Sequence, residues 1–117
     1  MGTCADLFVY GTLRDVVLVK QLTGRVFQTT SAQLPRYRKI SSHDTYAYII
    51  PDESATTEGL LLLGVDAASL VALDRYEGEG ELYRRTAVEV VVDGTPRSAL
   101  TYVGIKGAHP VVRPPRG

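Results

Sequence analysis

Tryptophan is absent from this 117-residue chain, cysteine and methionine each occur once, and histidine occurs twice. A lone Cys4 excludes an intrachain disulfide, and nothing argues for an oxidising compartment. Cys4 sits in a terminal segment, where a single thiol is more often inert than nucleophilic. His43 and His109 lie far apart and have no carboxylate or cysteine at ligand spacing, so no metal site is expected. Charge of one sign is missing too: 13 acidic residues balance 13 basic ones. No electrostatic footprint for nucleic acid or an anionic membrane surface results. No apolar run is long enough to span a bilayer. The basic-then-apolar layout of a signal peptide is lacking. Asp6 stands where a myristoylation signal needs Ser or Thr. A cytoplasmic protein is the expectation. The phosphate loop's Gly-Lys-Ser/Thr, the dinucleotide glycine fingerprint and the nucleophile-elbow pattern are all missing.

What is present fits one small domain with one core. Apolar residues make up 44% of the chain. Leu7 to Tyr10 reads as a buried strand that ends in a sharp turn at Gly11. Gly11 allows a positive φ or a close approach of backbone to ligand. Asp15 is placed to cap a helix over Val16 to Leu22, closed by Gly24. Val26 to Ile40 is strand-like but contains Pro35, which predicts an edge strand or a bend. Arg36, Arg38 and Lys39 then form a small basic cluster on a solvated strand face. Ser41 to Thr45 is a predicted turn. Tyr46 to Ile50 is a predicted strand stopped by Pro51, Asp52 to Thr56 a loop, and Thr57 to Val65 another strand. Its centre, Leu60 to Leu63, does not alternate, which predicts burial on both faces.

The segment Asp66 to Tyr76 reads as a helix with Asp66 as N-cap and Gly78 as stop. Leu70, Leu73 and Glu77 share its apolar face. A carboxylate on that stripe, at the C-terminal end of a helix, is badly placed for stability. Desolvation and the negative end of the helix dipole both raise its pKa. The rise moves it toward the range of a general base and acid. The bland alternative is a helix that frays early and leaves Glu77 in water beside Glu79 and Glu81.

Leu82 to Val92 reads as a long strand, and Asp93-Gly94 as a two-residue hairpin turn. That turn sets Val92 against Thr95 and, counting outward, Arg85 against Tyr102. Alternation then puts Tyr83, Arg85 and Tyr102 on one face, within reach of Glu77 or simply packed there. In the strand–turn–helix unit near the N-terminus, the amides of Gly11, Thr12 and Leu13 are positioned to grip an anionic oxygen. An ordinary connection is the other reading of that turn. From residue 105 the chain reads as a short irregular tail after a domain spanning 1–104.

Two blocks carry a family resemblance. One is Phe8-Val-Tyr-Gly-Thr-Leu-Arg14. The other is Leu73-Asp-Arg-Tyr-Glu-Gly78, followed by Leu82-Tyr-Arg-Arg85 and a valine-rich strand. Tyr46 to Pro51 and Glu58-Gly59-Leu60-Leu61 fit between them in order. Together they resemble the gamma-glutamylcyclotransferase-like family, including the gamma-glutamylamine cyclotransferases. The resemblance implies an α+β fold, a small mixed β-barrel with flanking helices. It implies a cavity in which Tyr10, Gly11, Thr12 and Leu13 hold the substrate, with Tyr83 and Tyr102 nearby and Glu77 as acid–base residue. It also implies a reaction needing no cofactor or metal, in which the substrate's α-amine attacks its own γ-carbonyl to give 5-oxoproline and a free amine.

A cyclotransferase acting on a gamma-glutamyl amine or peptide is therefore the leading expectation, with a small molecule as its partner and no nucleic acid or membrane. A non-catalytic binder of a small carboxylate- or amide-bearing metabolite is the alternative from another class. An interaction domain using the Pro35–Lys39 edge is a third. The sequence sets no oligomeric state.

Overall fold

A computed structural model describes residues 4–40, 47–80 and 82–105. The predicted turn at Ser41–Thr45, both histidines, Glu81 and the tail from residue 106 lie outside the described residues. Among the described residues, five strands and two helices follow in the order β1 (Cys4–Val9), α1 (Val16–Thr23), β2 (Thr29–Ile40), β3 (Tyr48–Asp66), α2 (Ala67–Glu77), β4 (Tyr83–Val92) and β5 (Thr95–Gly104). A 3-10 turn, Thr12–Arg14, links β1 to α1.

The strands close into a ring in the order β1-β3-β2-β4-β5. Neighbours are antiparallel except β1 and β5, which run parallel, with Leu7 against Leu100 and Phe8 against Thr101. This mixed α+β ring is the expected fold class. Its thinnest seam lies between β2 and β4, at Gln33 against Val91.

The core has two compartments, and the four leucines of β3 serve both. Leu61 and Leu63 join a cluster of strand-side residues, among them Phe8, Leu34, Ile49 and Val90, inside the ring. Leu60 and Leu62 face a second cluster that holds Val19 of α1 and Leu70 and Leu73 of α2, between sheet and helices. Side chains alternate across a strand, so an unbroken apolar run is what a strand buried on both faces requires.

Both helices start and stop where their caps dictate. The Asp15 carboxylate accepts from the Val17 and Leu18 amides, and Gly24 ends α1 in the left-handed conformation. The Asp66 carboxylate accepts from the Ser69 amide at 3.2 Å and the Ser69 hydroxyl at 2.7 Å. Gly78, at φ 73°, ends α2. Glu77 is thus the last helical residue, and the early fraying that would leave it in water does not occur.

One of the two strand prolines departs from its reading. Pro51 does not stop a strand: β3 runs unbroken from Tyr48 to Asp66, through the expected loop at 52–56. The reason lies in its neighbours. β1 pairs with β3 only over residues 60–66, so at Pro51 one edge of β3 has no ladder partner among the described residues and a missing N–H is tolerated. The loop character survives as a bulge, in which Pro51 to Thr56 opposes only Tyr37 to Pro35. Within it the Asp52 carboxylate accepts from the Ser54 amide and hydroxyl. Pro35 sits at the same bulge inside β2, between β3 and β4, so the bend and not the edge strand is realised. Arg36 and Arg38 of the basic cluster are exposed. Arg38 is paired with Asp52 at 3.1 Å.

The Asp93-Gly94 hairpin has the predicted register, with Val92 against Thr95 and Arg85 against Tyr102. No helix is long and apolar enough to cross a membrane among the described residues.

Candidate functional site

β1 delivers the first wall of a cavity. Its chain passes Phe8 and Val9, buried on opposite faces, and reaches Tyr10 and Gly11 at the rim. There the backbone turns. Arg14 N donates to Gly11 O at 3.0 Å and Asp15 N to Thr12 O at 3.0 Å. The amides of Gly11, Thr12 and Leu13 precede these bonds and take no part in them. Arg14 Nε also donates to Gly11 O, at 3.1 Å. Gly11 itself has φ −129°, and a Cβ there would meet only the Ala47 Cβ at 3.6 Å. Neither positive φ nor crowding claims glycine at this position.

α2 delivers the second wall. Its last turn brings Tyr76 and Glu77 to the cavity, and Thr12 Oγ1 and the Tyr76 hydroxyl lie 3.2 Å apart across it. Tyr83 and Tyr102, diagonal neighbours across the β4–β5 hairpin, supply the third wall as an edge-to-face pair with centroids 6.5 Å apart. The enclosed volume is about 170 Å³. That is well below the roughly 300–1,000 Å³ of sites for drug-sized ligands, so the space suits a group of amino-acid size. Tyr10, Gly11, Thr12, Leu13, Glu77, Tyr83 and Tyr102, scattered over 93 positions of sequence, all line it.

Glu77 is the carboxylate on this cavity. Burial raises its pKa to about 7, because a carboxylate that leaves water loses the hydration that favours its charged form. Glu79 does not crowd it: that side chain is exposed, with Oε2 accepting from Arg85 N at 3.3 Å. The phenols of Tyr10 and Tyr102 are pushed upward by burial, and the Glu77 charge adds to both shifts. Both stay protonated at any physiological pH.

Each of the three site tyrosines gives its proton to the protein. Tyr10 donates to the Tyr102 carbonyl. Tyr83 donates to Ala47 O at 2.6 Å. Tyr102 donates to Asp74 Oδ1 at 2.7 Å. Asp74, three residues before Glu77, also receives Arg85 Nη1 on Oδ2 at 2.6 Å. Asp74 is not among the residues expected at the site, and neither are Tyr76, Ala47 and Leu82, which line the cavity as Asp74 does not. A signal for Asp74 existed. The hairpin register already placed Arg85 opposite Tyr102, and an acid one turn before Glu77 is the natural partner for both. The two histidines are outside the described residues, and Cys4 is exposed at the start of β1. No cluster of three metal-ligating side chains occurs among the described residues.

A closed five-stranded ring with an acid-bearing, amino-acid-sized cavity defines the class of protein. The family follows from comparison. A family model described as gamma-glutamyl cyclotransferase, AIG2-like, matches residues 7–115. The chain is 34% identical over 112 residues to AIG2-like protein D of Arabidopsis thaliana, covering 92% of this chain and 72% of that protein. It is 32% identical over 108 residues to AIG2-like protein A of the same plant, covering 90% and 64%. It spans about half of AIG2-like proteins B and C, at 49% and 52% of their lengths. A solution structure of an Arabidopsis thaliana protein superposes with a TM-score of 0.81 at 29% identity, over 92% of this chain and 72% of that one. A structure of a gamma-glutamyl cyclotransferase shares the fold, with a TM-score of 0.74 at 16% identity over 88% and 68%. The chain belongs to the AIG2-like gamma-glutamyl cyclotransferase family.

Proposed function

We propose that the protein is a cyclotransferase that converts a gamma-glutamyl amine or gamma-glutamyl peptide into 5-oxoproline and a free amine. The observation that carries this reading is the position of Glu77, a carboxyl with a pKa near 7 in a small cavity rimmed by the Gly11–Leu13 turn. Family membership supports it.

In this reading the substrate's α-carboxylate lies against the amides of Gly11 to Leu13, where backbone N–H groups favour an anion. The α-ammonium faces Glu77. The ionised Glu77 takes one proton from it, and the freed amine attacks the γ-carbonyl. As the new C–N bond closes the five-membered ring, the old amide C–N bond breaks. The leaving nitrogen takes that proton back from Glu77, and Glu77 then passes it the second proton that the ring nitrogen sheds to become the lactam N–H, so the amine departs as an ammonium. Proton count and charge balance, and Glu77 ends ionised. A pKa near the working pH suits one group to both transfers. The cavity holds the substrate folded, which supplies the orientation that an open chain in water lacks. No cofactor or metal enters these steps.

The test is product formation. Incubation with a panel of gamma-glutamyl amines and peptides should release 5-oxoproline, detected by mass spectrometry. Glu77→Gln should lower the rate by about 10²-fold or more while ligand binding persists. If no panel member yields product but ligands still bind, the cavity is a binding site for a carboxylate- or amide-bearing metabolite instead.

A further inference from the structure

The carboxylate of Asp74 makes two short contacts and lines no part of the cavity. It sits on α2 one turn before Glu77, half-buried, and holds Arg85 Nη1 on one oxygen and the Tyr102 hydroxyl on the other. The permanently charged Arg85 guanidinium takes one carboxylate oxygen, and the Tyr102 hydroxyl donates to the other. The Tyr102 proton is therefore committed to Asp74, and the Tyr102 oxygen presents lone pairs alone to anything else it meets.

We propose that Asp74 is a positioning residue that fixes the Tyr102 hydroxyl as a hydrogen-bond acceptor for an N–H group of the substrate, so that an ammonium is held between Tyr102 and Glu77. The inference rests on the cyclotransferase reading for the identity of that ammonium, but the Asp74–Tyr102 arrangement stands without it. Three observations support it. Tyr102 is 2% exposed, so water does not compete for its oxygen from outside. Tyr10 and Tyr83 also donate to protein carbonyls. Finally, Asp74 and Glu77 stand at i and i+3 on α2, so a group between Tyr102 and Glu77 is gripped by one helix end and one strand. A hydroxyl free to rotate could turn its proton toward the ammonium and repel it; Asp74 removes that orientation.

The experiment is a double-mutant cycle on the full chain with Asp74→Asn, Tyr102→Phe and the pair. The readout is kcat/KM for whichever gamma-glutamyl substrate the panel identifies. Each single variant should lose about tenfold or more. The pair should be no worse than Tyr102→Phe, because Asp74 acts through that hydroxyl. Independent, multiplying losses overturn the proposal, since a merely structural Asp74 damages both backgrounds alike. If the wild-type protein turns over nothing, the cyclotransferase reading fails by itself, and tyrosine ionisation then decides the inference. With [¹³C]tyrosine, NMR titration should show the Tyr102 phenol ionising at lower pH in Asp74→Asn, and an unchanged titration overturns the arrangement. One measurement needs no Asp74 variant at all. In the wild type the Tyr102 hydroxyl proton should be a slowly exchanging resonance, absent from Tyr102→Phe, and failure to find it likewise overturns the proposal.

Discussion

Glu77 trades stability for a proton site. Its pKa is raised from 4.5 to about 7, so the folded state binds the proton more tightly than the unfolded chain. The stabilisation is fully present below about pH 4.5 and is lost as pH rises to about 7. The difference, 7 − 4.5 = 2.5, corresponds to at most about 3 kcal/mol at 1.36 kcal/mol per unit, and less where water reaches the carboxyl. Glu77→Gln escapes this loss. Its melting temperature should exceed that of wild type at pH 8 and converge with it near pH 4. A gap that does not vary with pH would show that the burial penalty is absent. In the proposed reaction the same ionisation governs rate: kcat/KM should rise with pH through an apparent pKa near 7. A flat profile between pH 5.5 and 8.5 would remove Glu77 as the base.

At the scale of elements, the caps do most of the placing. Gly78 is left-handed, a conformation that costs other residues about 1 kcal/mol or more, and a Cβ there would press on the Leu82 side chain at 3.2 Å. Gly78→Ala should destabilise the fold by about 1–2 kcal/mol, read by chemical denaturation. It should also lower activity, because the preceding residue is Glu77. Asp15→Ala, a cap remote from Glu77, should cost about 1 kcal/mol and leave the Glu77 pKa near 7. These caps were legible in the sequence because each is a local event: one side chain bonding an amide two or three residues on. The hairpin register was legible for the same reason, since a two-residue turn fixes every pair outward from it. Pro51 was misread because its tolerance depends on where β1 stops along β3, a fact about a strand some 50 positions away. Asp74 escaped notice because its partners, Tyr102 and Arg85, lie on strands built later in the chain. Part of the cavity's lining was legible in the residues: the hairpin register put Tyr83 and Tyr102 within reach of Glu77, and the strand–turn–helix unit singled out the amides of Gly11, Thr12 and Leu13. Tyr10 was legible only through the family resemblance, because periodicity does not say which strand end meets the end of α2.

For the whole molecule, Gly59 shows how tightly the ring is drawn. A Cβ there would lie 2.4 Å from the Val9 carbonyl and 2.7 Å from Phe8 Cζ. Neither can retreat: Phe8 is fully buried inside the ring and Val9 is in the β1–β3 ladder. Gly59→Ala should cost about 1–3 kcal/mol as overpacking and loosen the site, since Phe8, Val9 and Tyr10 all line it. Leu73→Ala, in the layer between α2 and the sheet, should cost about 2–5 kcal/mol and leave the cluster inside the ring, with Phe8, Leu34, Ile49 and Val90, intact. Equal losses of activity per kcal/mol in both variants would mean that the cavity answers only to global stability.

The parallel pairing of β1 with β5 also dictates an order of events at birth. Leu7 meets Leu100, and the Thr101 hydroxyl donates to the Phe8 carbonyl across 93 residues of chain. Synthesis proceeds at about 5–20 residues per second, so one edge of β1 waits roughly 5 to 20 s for its partner to leave the ribosome. Through that interval the nascent chain exposes an apolar strand with an open edge, the kind of surface that chaperones bind and that aggregation exploits. Tyr102 arrives with the same strand, so a chain released early has neither a sealed ring nor a finished cavity, and quality control can discard it before it ever competes for a ligand.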